Sequence, residues 1–418
     1  MTPDFSAAPR LSVTPADGMI DAPRRITASN LGADALVTIS ASTIRSGGAL
    51  WESRARFMAD AAGTVDLTRD APVGGDYAEI SPMGLIWSQQ PSAAPGPDAF
   101  ADDVMVPLGT MLTLETADGQ QSSAGMIQRF AAPGVTRRDI REDGLVGTLF
   151  TPAGPGPYPV VVVLNGSGGG INEPRAALYA SRGYQALALG YFKAPGLQPF
   201  ITETPLEYLE TGLLWVRRML KPRAGFVALS GQSRGGELAL LLGATWPDLV
   251  SAVIAYVPGA MVHGAQGAGD PARGGWQGTT WTRGGKALPH LWQGNSAVDW
   301  HPWDGAAPPD RHHSVFFEGL KHRALTDATH PGRKDRRPRA ADFGARRSGM
   351  AFKHVFADGG LGACAPRARA SGAPSRFRQR RPCHQPALCA RHADHARASR
   401  LEGALQQWRH GLGQCAGR

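Results

Sequence analysis

Gly231-Gln232-Ser233-Arg234-Gly235-Gly236 is the stretch of this chain whose residue types and spacing carry the most chemistry. A serine with glycine two residues to either side is a G-x-S-x-G element. The glycines permit a sharp turn that lifts the hydroxyl clear of its surroundings. Such a hydroxyl attacks an acyl carbon once a base takes its proton. The flanks suit that use: Phe226-Val227-Ala228-Leu229 reads as a short buried strand, and Glu237-Leu238-Ala239-Leu240-Leu241-Leu242 opens an apolar helix running towards Trp246-Pro247. The bare five-residue pattern also fits a plain glycine-rich strand-to-helix turn, in which Ser233 would have no such task.

Acyl transfer also needs donors for the oxyanion. Tyr158-Pro159-Val160-Val161-Val162-Val163-Leu164 is a continuous apolar run, as expected of a parallel strand buried on both faces. It ends in Asn165-Gly166-Ser167-Gly168-Gly169-Gly170, followed by a helical stretch through Arg175-Ala176-Ala177-Leu178-Tyr179. In α/β-hydrolases such a loop supplies one backbone N–H and the residue after the nucleophile supplies another. The candidate donors are therefore Gly166, Ser167 or Gly168, paired with Arg234. Loss of one donor of this kind costs roughly 3 kcal/mol of transition-state stabilisation. A phosphate cradle is the rival reading and fails on spacing. Ile171 stands at the third dinucleotide-loop position, and no Gly-Lys-Ser/Thr occurs.

Three regions position these residues. Residues 1–126 read as an all-β sandwich of Ig-like type, with strand candidates at Arg25–Ala28, Leu36–Ser40, Trp51–Met58, Val65–Leu67, Tyr77–Ser81 and Leu85–Ser88. The alternation Trp51-x-Ser53-x-Ala55-x-Phe57 assigns Trp51 and Phe57 to a core, and Trp87 reads the same way. Residues 127–329 alternate strands and helices, the pattern of an α/β domain with a mostly parallel sheet. Gln185–Leu189 and Val250–Val257 are further strands. Thr204 reads as an N-cap with Pro205 at the first helical position, and Leu209, Leu213, Trp215, Val216 and Leu220 continue that helix. Residues 330–418 form a third region, basic and low in order.

The motifs resemble one family. Trp51-x-Ser53-x-Ala55-x-Phe57-x-Ala59-Asp60-x-x-Gly63-x-Val65-Asp66-Leu67, Asp70-Ala71-Pro72-Val73 and Met83-Gly84-Leu85-x-Trp87-Ser88 are similar to the N-terminal domain of the acyl-CoA thioesterase and bile acid-CoA:amino acid N-acyltransferase family. The second domain agrees through Gly168-Gly169-Gly170, Glu173 with Arg175-Ala176, Leu206-Glu207-Tyr208 and Ser233 to Leu238. The likeness covers about residues 10 to 329. It implies a β-sandwich joined to an α/β-hydrolase that acts on acyl-CoA through Ser, His and Asp, with CoA as part of the substrate and no separate cofactor. The amino-acid-conjugating branch typically uses Cys as nucleophile, so Ser233 favours hydrolysis to a fatty or other carboxylic acid.

The resemblance stops near Asp327. From His330 onward there is one Val and no Ile, while Arg alone occurs 17 times. A disordered basic tail is one reading; translation of the wrong frame is the other. Shifted by one base with suitable codons, His330–Asp335 can read I-P-V-E-K-I, the family's continuation. Asp342–Ala357 and Gln379–Leu388 can likewise read as the segments in which the family carries its Asp and His. Three matches in order favour the frame change. The sheet is then expected to lack its C-terminal strands. Arg346 and Pro382 occupy the acid and base slots, and neither can do that chemistry, so the general base and acid are unknown. In-frame substitutes are Asp299, Asp304 or Asp327 with His301, His312, His313 or His322. Each of these also reads as an ordinary surface or loop residue.

Charge and composition narrow the alternatives. The net charge of +9 is uneven: residues 330–418 hold 19 Lys and Arg against 5 Asp and Glu, a net +14, while residues 1–329 carry −5. Nucleic-acid binding cannot be argued from the total, though the tail alone keeps open a non-catalytic, anion-binding alternative. Cys364, Cys383, Cys389 and Cys415 lack C-x-x-C spacing, so neither a metal site nor a disulfide framework is expected. No apolar run reaches about 18 residues and no leader is evident, so the expectation is a cytoplasmic protein without a membrane span. Transfer of the acyl group to an amino acid amine remains the alternative within the enzyme class.

Overall fold

The computed structural model describes residues 7–92, 101–259, 261–275, 278–291 and 351–352. The N-terminal region is two antiparallel-rich sheets sharing one apolar core. Strands β1 (Arg10–Thr14), β3 (Arg25–Ser29) and β6 (Val65–Asp66) make the smaller sheet. The larger runs β2 (Asp17–Met19), β10 (Gln121–Arg129), β9 (Leu108–Thr116), β4 (Leu36–Ile44), β5 (Leu50–Met58) and β7 (Gly74–Gly75), with β8 (Gln90–Pro91) also on β5. Along β5 every second residue is buried, so Trp51, Ser53, Ala55 and Phe57 face inward. Ala55 and Phe57 share a core with Ile26, Val37, Ile39, Leu112, Leu114 and Met126, while the Trp51 ring lies under the Arg45 guanidinium at 4.1 Å.

Two expected strands are absent here. Residues 77–81 form no strand, and Leu85–Ser88 gives way to a single helical turn, α1 (Gly84–Trp87). The reason is local packing. The Tyr77 ring lies against Gly84, where any Cβ would come within 2.2 Å of it, and the Trp87 ring packs tilted at 60° against Tyr77, 5.6 Å between centroids. The helical turn buries Gly84, Leu85 and Ile86 together, where a strand with one solvent-facing side would expose either Leu85 or Ile86. Strand β10 runs on past residue 126 to Arg129.

The second region is a mixed sheet in the order β11 (Thr136–Ile140), β12 (Val146–Thr151), β14 (Gln185–Gly190), β13 (Val160–Leu164), β16 (Val227–Gln232), β17 (Ala252–Tyr256) and β20 (Ala351–Phe352). The first two junctions are antiparallel and the remainder parallel. Crossovers α2 (Glu173–Ala180), α3 (Leu206–Trp215) and α4 (Arg234–Thr245) link the parallel strands. All five residues of β13 are buried, as befits a strand covered on both faces. From β13 the chain lays β14 on one side and β16 on the other. The carboxyl ends of β13 and β16 thus form a topological switch point, where open α/β sheets place ligands.

Two details differ from expectation. Thr204–Pro205 is a short strand, β15, on β18 (Trp281–Arg283), which pairs in turn with β19 (Lys286–Ala287). Strand pairing leaves Pro205, which has no capping side chain, at the N-cap position of α3, and the helix begins at Leu206 without a side-chain cap. The Thr204 hydroxyl instead donates to Ile201 O at 2.7 Å and accepts from Gln198 Nε2 at 2.9 Å. The sheet also does not end at β17. Ala351–Phe352 pairs with Ala252 and Val253, adding a seventh position that the residue pattern does not announce. An open strand edge offers main-chain groups to any extended dipeptide. The rest of 330–418, with Arg346, Pro382 and all four cysteines, lies outside the described residues. So do the in-frame candidates Asp299, Asp304, Asp327, His301, His312, His313 and His322.

Candidate active site

Ser233 stands at the junction of β16 and α4 with φ 52° and ψ −118°. That is a region non-glycine residues rarely occupy, and such strain persists only where the surroundings over-determine it. They do so here. The Ser233 N–H donates to Tyr256 O at 2.9 Å, and its carbonyl accepts from Glu237 N–H at 3.0 Å. The serine carries the unusual angles itself; the glycines serve close approach. A Cβ on Gly231 would lie 1.9 Å from Gly235 O, and one on Gly235 would lie 2.3 Å from Asn165 O. Ser233 is exposed between the buried Gly231 and Arg234. Among the described residues its hydroxyl makes no hydrogen bond.

Across the switch point, Leu164 pairs with Gly231, which brings the following loop beside the elbow. A Cβ on Gly166 would lie 3.2 Å from Gln232 O and 3.6 Å from Ser233 Cβ. The loop is internally fixed: Asn165 Nδ2 donates to Gly169 O at 2.5 Å, Gly169 N–H to Gly166 O at 3.1 Å and Gly170 N–H to Phe192 O at 2.9 Å. The Gly166 N–H is committed to Asn165 Oδ1 at 3.0 Å. Those of Ser167 and Gly168 make no hydrogen bond among the described residues. At the other side, Arg234 opens α4, where the first N–H groups of a helix lack intrahelical partners and favour negative charge. The structure thus brings Ser233, Arg234, Gly166, Ser167 and Gly168 together. A serine hydroxyl beside uncommitted main-chain donors is an arrangement that acyl transfer requires.

Beneath the elbow lies a buried charge cluster that the residue pattern did not reveal. Arg234 Nη1 donates to both Glu237 oxygens at 3.0 Å and to His263 O at 3.2 Å, and Nη2 donates to Gly264 O at 2.7 Å. Glu237 also accepts from Trp281 Nε1 at 3.2 Å and pairs with His263 Nδ1 at 2.8 Å. Facing a carboxylate, that nitrogen carries the proton. Burial pushes the Glu237 carboxyl up, but Arg234, His263 and Trp281 outweigh it and hold it below the ordinary value. His290, also buried, is driven down to about 4, chiefly by burial and secondarily by Arg234. The available signal was Arg and Glu at i and i+3 in an apolar helix, since buried charges must pair. His263 and His290 had none.

Strand order and elbow define an α/β-hydrolase-type domain that follows the two antiparallel-rich sheets in the chain. Residues 21–142 match the family described as "Acyl-CoA thioester hydrolase/BAAT N-terminal region". Acyl-coenzyme A thioesterase 1 of Rattus norvegicus is 34% identical over 241 residues, 56% of this chain and 57% of that one. Acyl-coenzyme A thioesterase 2, mitochondrial, of Homo sapiens is 35% identical over 56% of this chain and 49% of its own. Acyl-coenzyme A thioesterase 6 of Mus musculus is 34% identical over 59% of this chain and 60% of its own. The resemblance to the acyl-CoA thioesterase/BAAT family therefore stands, and the chain spans about half to three-fifths of these relatives. Among solved structures, a bacterial heroin esterase is 24% identical over 31% of this chain and 46% of its own, with a TM-score of 0.27. Among the described residues no helix is long and apolar enough to cross a membrane, and no group of three or more His, Cys, Asp or Glu could hold a metal.

Proposed function

We propose that this chain is by descent a serine-dependent acyl-CoA thioester hydrolase. Ser233 Oγ attacks the thioester carbonyl, and the Arg234 N–H with that of Ser167 or Gly168 holds the oxyanion. CoA leaves as thiolate, and water then releases the carboxylic acid from the acyl-serine. The observation that carries this reading is an exposed, strained Ser233 beside Gly166 at the switch point. Hydrolysis is preferred over transfer to an amine because the nucleophile is serine. The family's acid and base fall at Arg346 and Pro382 in this frame, so the hydroxyl lacks that help. Loss of a triad base costs on the order of 10⁶ in turnover in subtilisin.

Thiol release from acyl-CoAs of several chain lengths is the direct test, with glycine and taurine present to reveal conjugates. Slow release that Ser233→Ala abolishes is expected, and a gene restored to the alternative frame after codon 329 should gain several orders of magnitude. Activity that survives Ser233→Ala would overturn the assignment of the nucleophile.

A further inference from the structure

We infer that Arg175 is a positioning residue for the elbow, a role that rests on the hydrolase reading above. Arg175 sits in the first turn of α2, directly after the glycine loop, with its side chain turned in towards the sheet. Its Nη2 donates to Gln232 Oε1 at 2.8 Å, and its Cζ lies 4.8 Å from the centre of the Tyr256 ring. Both residues adjoin Ser233. Gln232 precedes it in the chain, and Tyr256 supplies the carbonyl that takes its N–H. Asn172 extends the link to the glycine loop: Oδ1 caps the Arg175 N–H at 3.3 Å, and Nδ2 donates to Asn165 Oδ1 at 3.5 Å. One turn of helix therefore touches both strand ends from which the site is built.

A guanidinium is expensive to bury, and only a planar fork can stack on an aromatic face while donating in its own plane. Lysine retains the charge but cannot do both. Positioning and charge are thereby separable. Arg175→Lys and Arg175→Met in the full chain are compared for kcat and KM of thiol release, phosphonylation rate of Ser233 by a fluorophosphonate, and amide exchange across residues 230–238. Both variants should lose on the order of 10- to 100-fold in kcat with KM little changed. Both should also exchange the Ser233 amide faster. Gln232→Leu, which removes the acceptor, should copy the arginine variants if those fold poorly. Wild-type kcat and exchange in Arg175→Lys would overturn the proposal, as would unchanged exchange in Gln232→Leu. Thiol release that survives Ser233→Ala would defeat the hydrolase reading, while the exchange comparison would still decide the positioning.

Discussion

The sandwich core and the rim of the parallel sheet are held by different means. In the sandwich, β4 and β5 bury every second side chain against a broad apolar interior, so many small contacts share the work. At the rim, Gly231, Gly235 and Gly166 allow main chain to touch main chain, a serine is held at φ 52°, and Arg234 and Glu237 are buried as ions. The first arrangement is redundant and the second over-determined. A single change should therefore be absorbed in one place and propagate in the other.

The most severe break of that contrast is Gly231→Ala. Its methyl group would meet Gly235 O at 1.9 Å, a backbone atom that cannot swing away. Either the elbow or the chain must give, and we expect at least about 3 kcal/mol lost in urea unfolding together with all thiol release. A midpoint within the error of the unaltered chain would show that the rim is looser than its geometry implies.

Glu237→Ala comes next. It leaves Arg234 and His263 facing an apolar gap, and removing one member of a buried pair costs about 3–5 kcal/mol. Acid should expose the same link. The folded pKa of Glu237 is depressed, so its contribution is complete above the ordinary value of 4.5 and is lost as pH falls through the lower folded value. Glu237→Gln should remove that acid limb from a plot of stability against pH.

The sandwich strands were legible because period-two burial writes itself into Trp51-x-Ser53-x-Ala55-x-Phe57. The elbow was legible because glycine and a small nucleophile must stand at fixed offsets. Residues 77–88 escape a reading by alternation because the Tyr77–Gly84 contact decides their path. Thr204 departs from its expected capping role because pairing with β18 holds it in a strand and leaves Pro205 at the N-cap. The Glu237–His263 pair leaves no local trace because 26 positions separate its members and only the folded sheet joins them. A loop histidine shows no period, so nothing local marks His263 or His290.

His290 gives a smaller effect of definite sign. Burial lowers its pKa from 6.5 to about 4, so the folded chain keeps it neutral while the unfolded chain protonates it. Its stabilising share is complete above 6.5 and declines as pH falls towards 4, by at most about 3 kcal/mol. His290→Leu should flatten that window in thermal melts recorded across it. A slope identical to that of the unaltered chain would place the titration elsewhere.

The smallest expected effect is the most direct control on the contrast. Gly125 lies in β10, exposed, opposite Met111, with no positive φ and nothing within 4 Å of the position a Cβ would take. Alanine there meets no backbone and reduces the freedom of the unfolded chain, so Gly125→Ala should be neutral or stabilising by up to about 1 kcal/mol. Thiol release should not change. Chemically this is the same substitution as Gly231→Ala, one methyl group on a strand glycine. If the two differ by several kcal/mol, the difference belongs to what surrounds the glycine, because strand propensity is common to both. If Gly125→Ala also destabilises, the sandwich is less tolerant than its alternating burial implies, and the contrast fails from its apolar side.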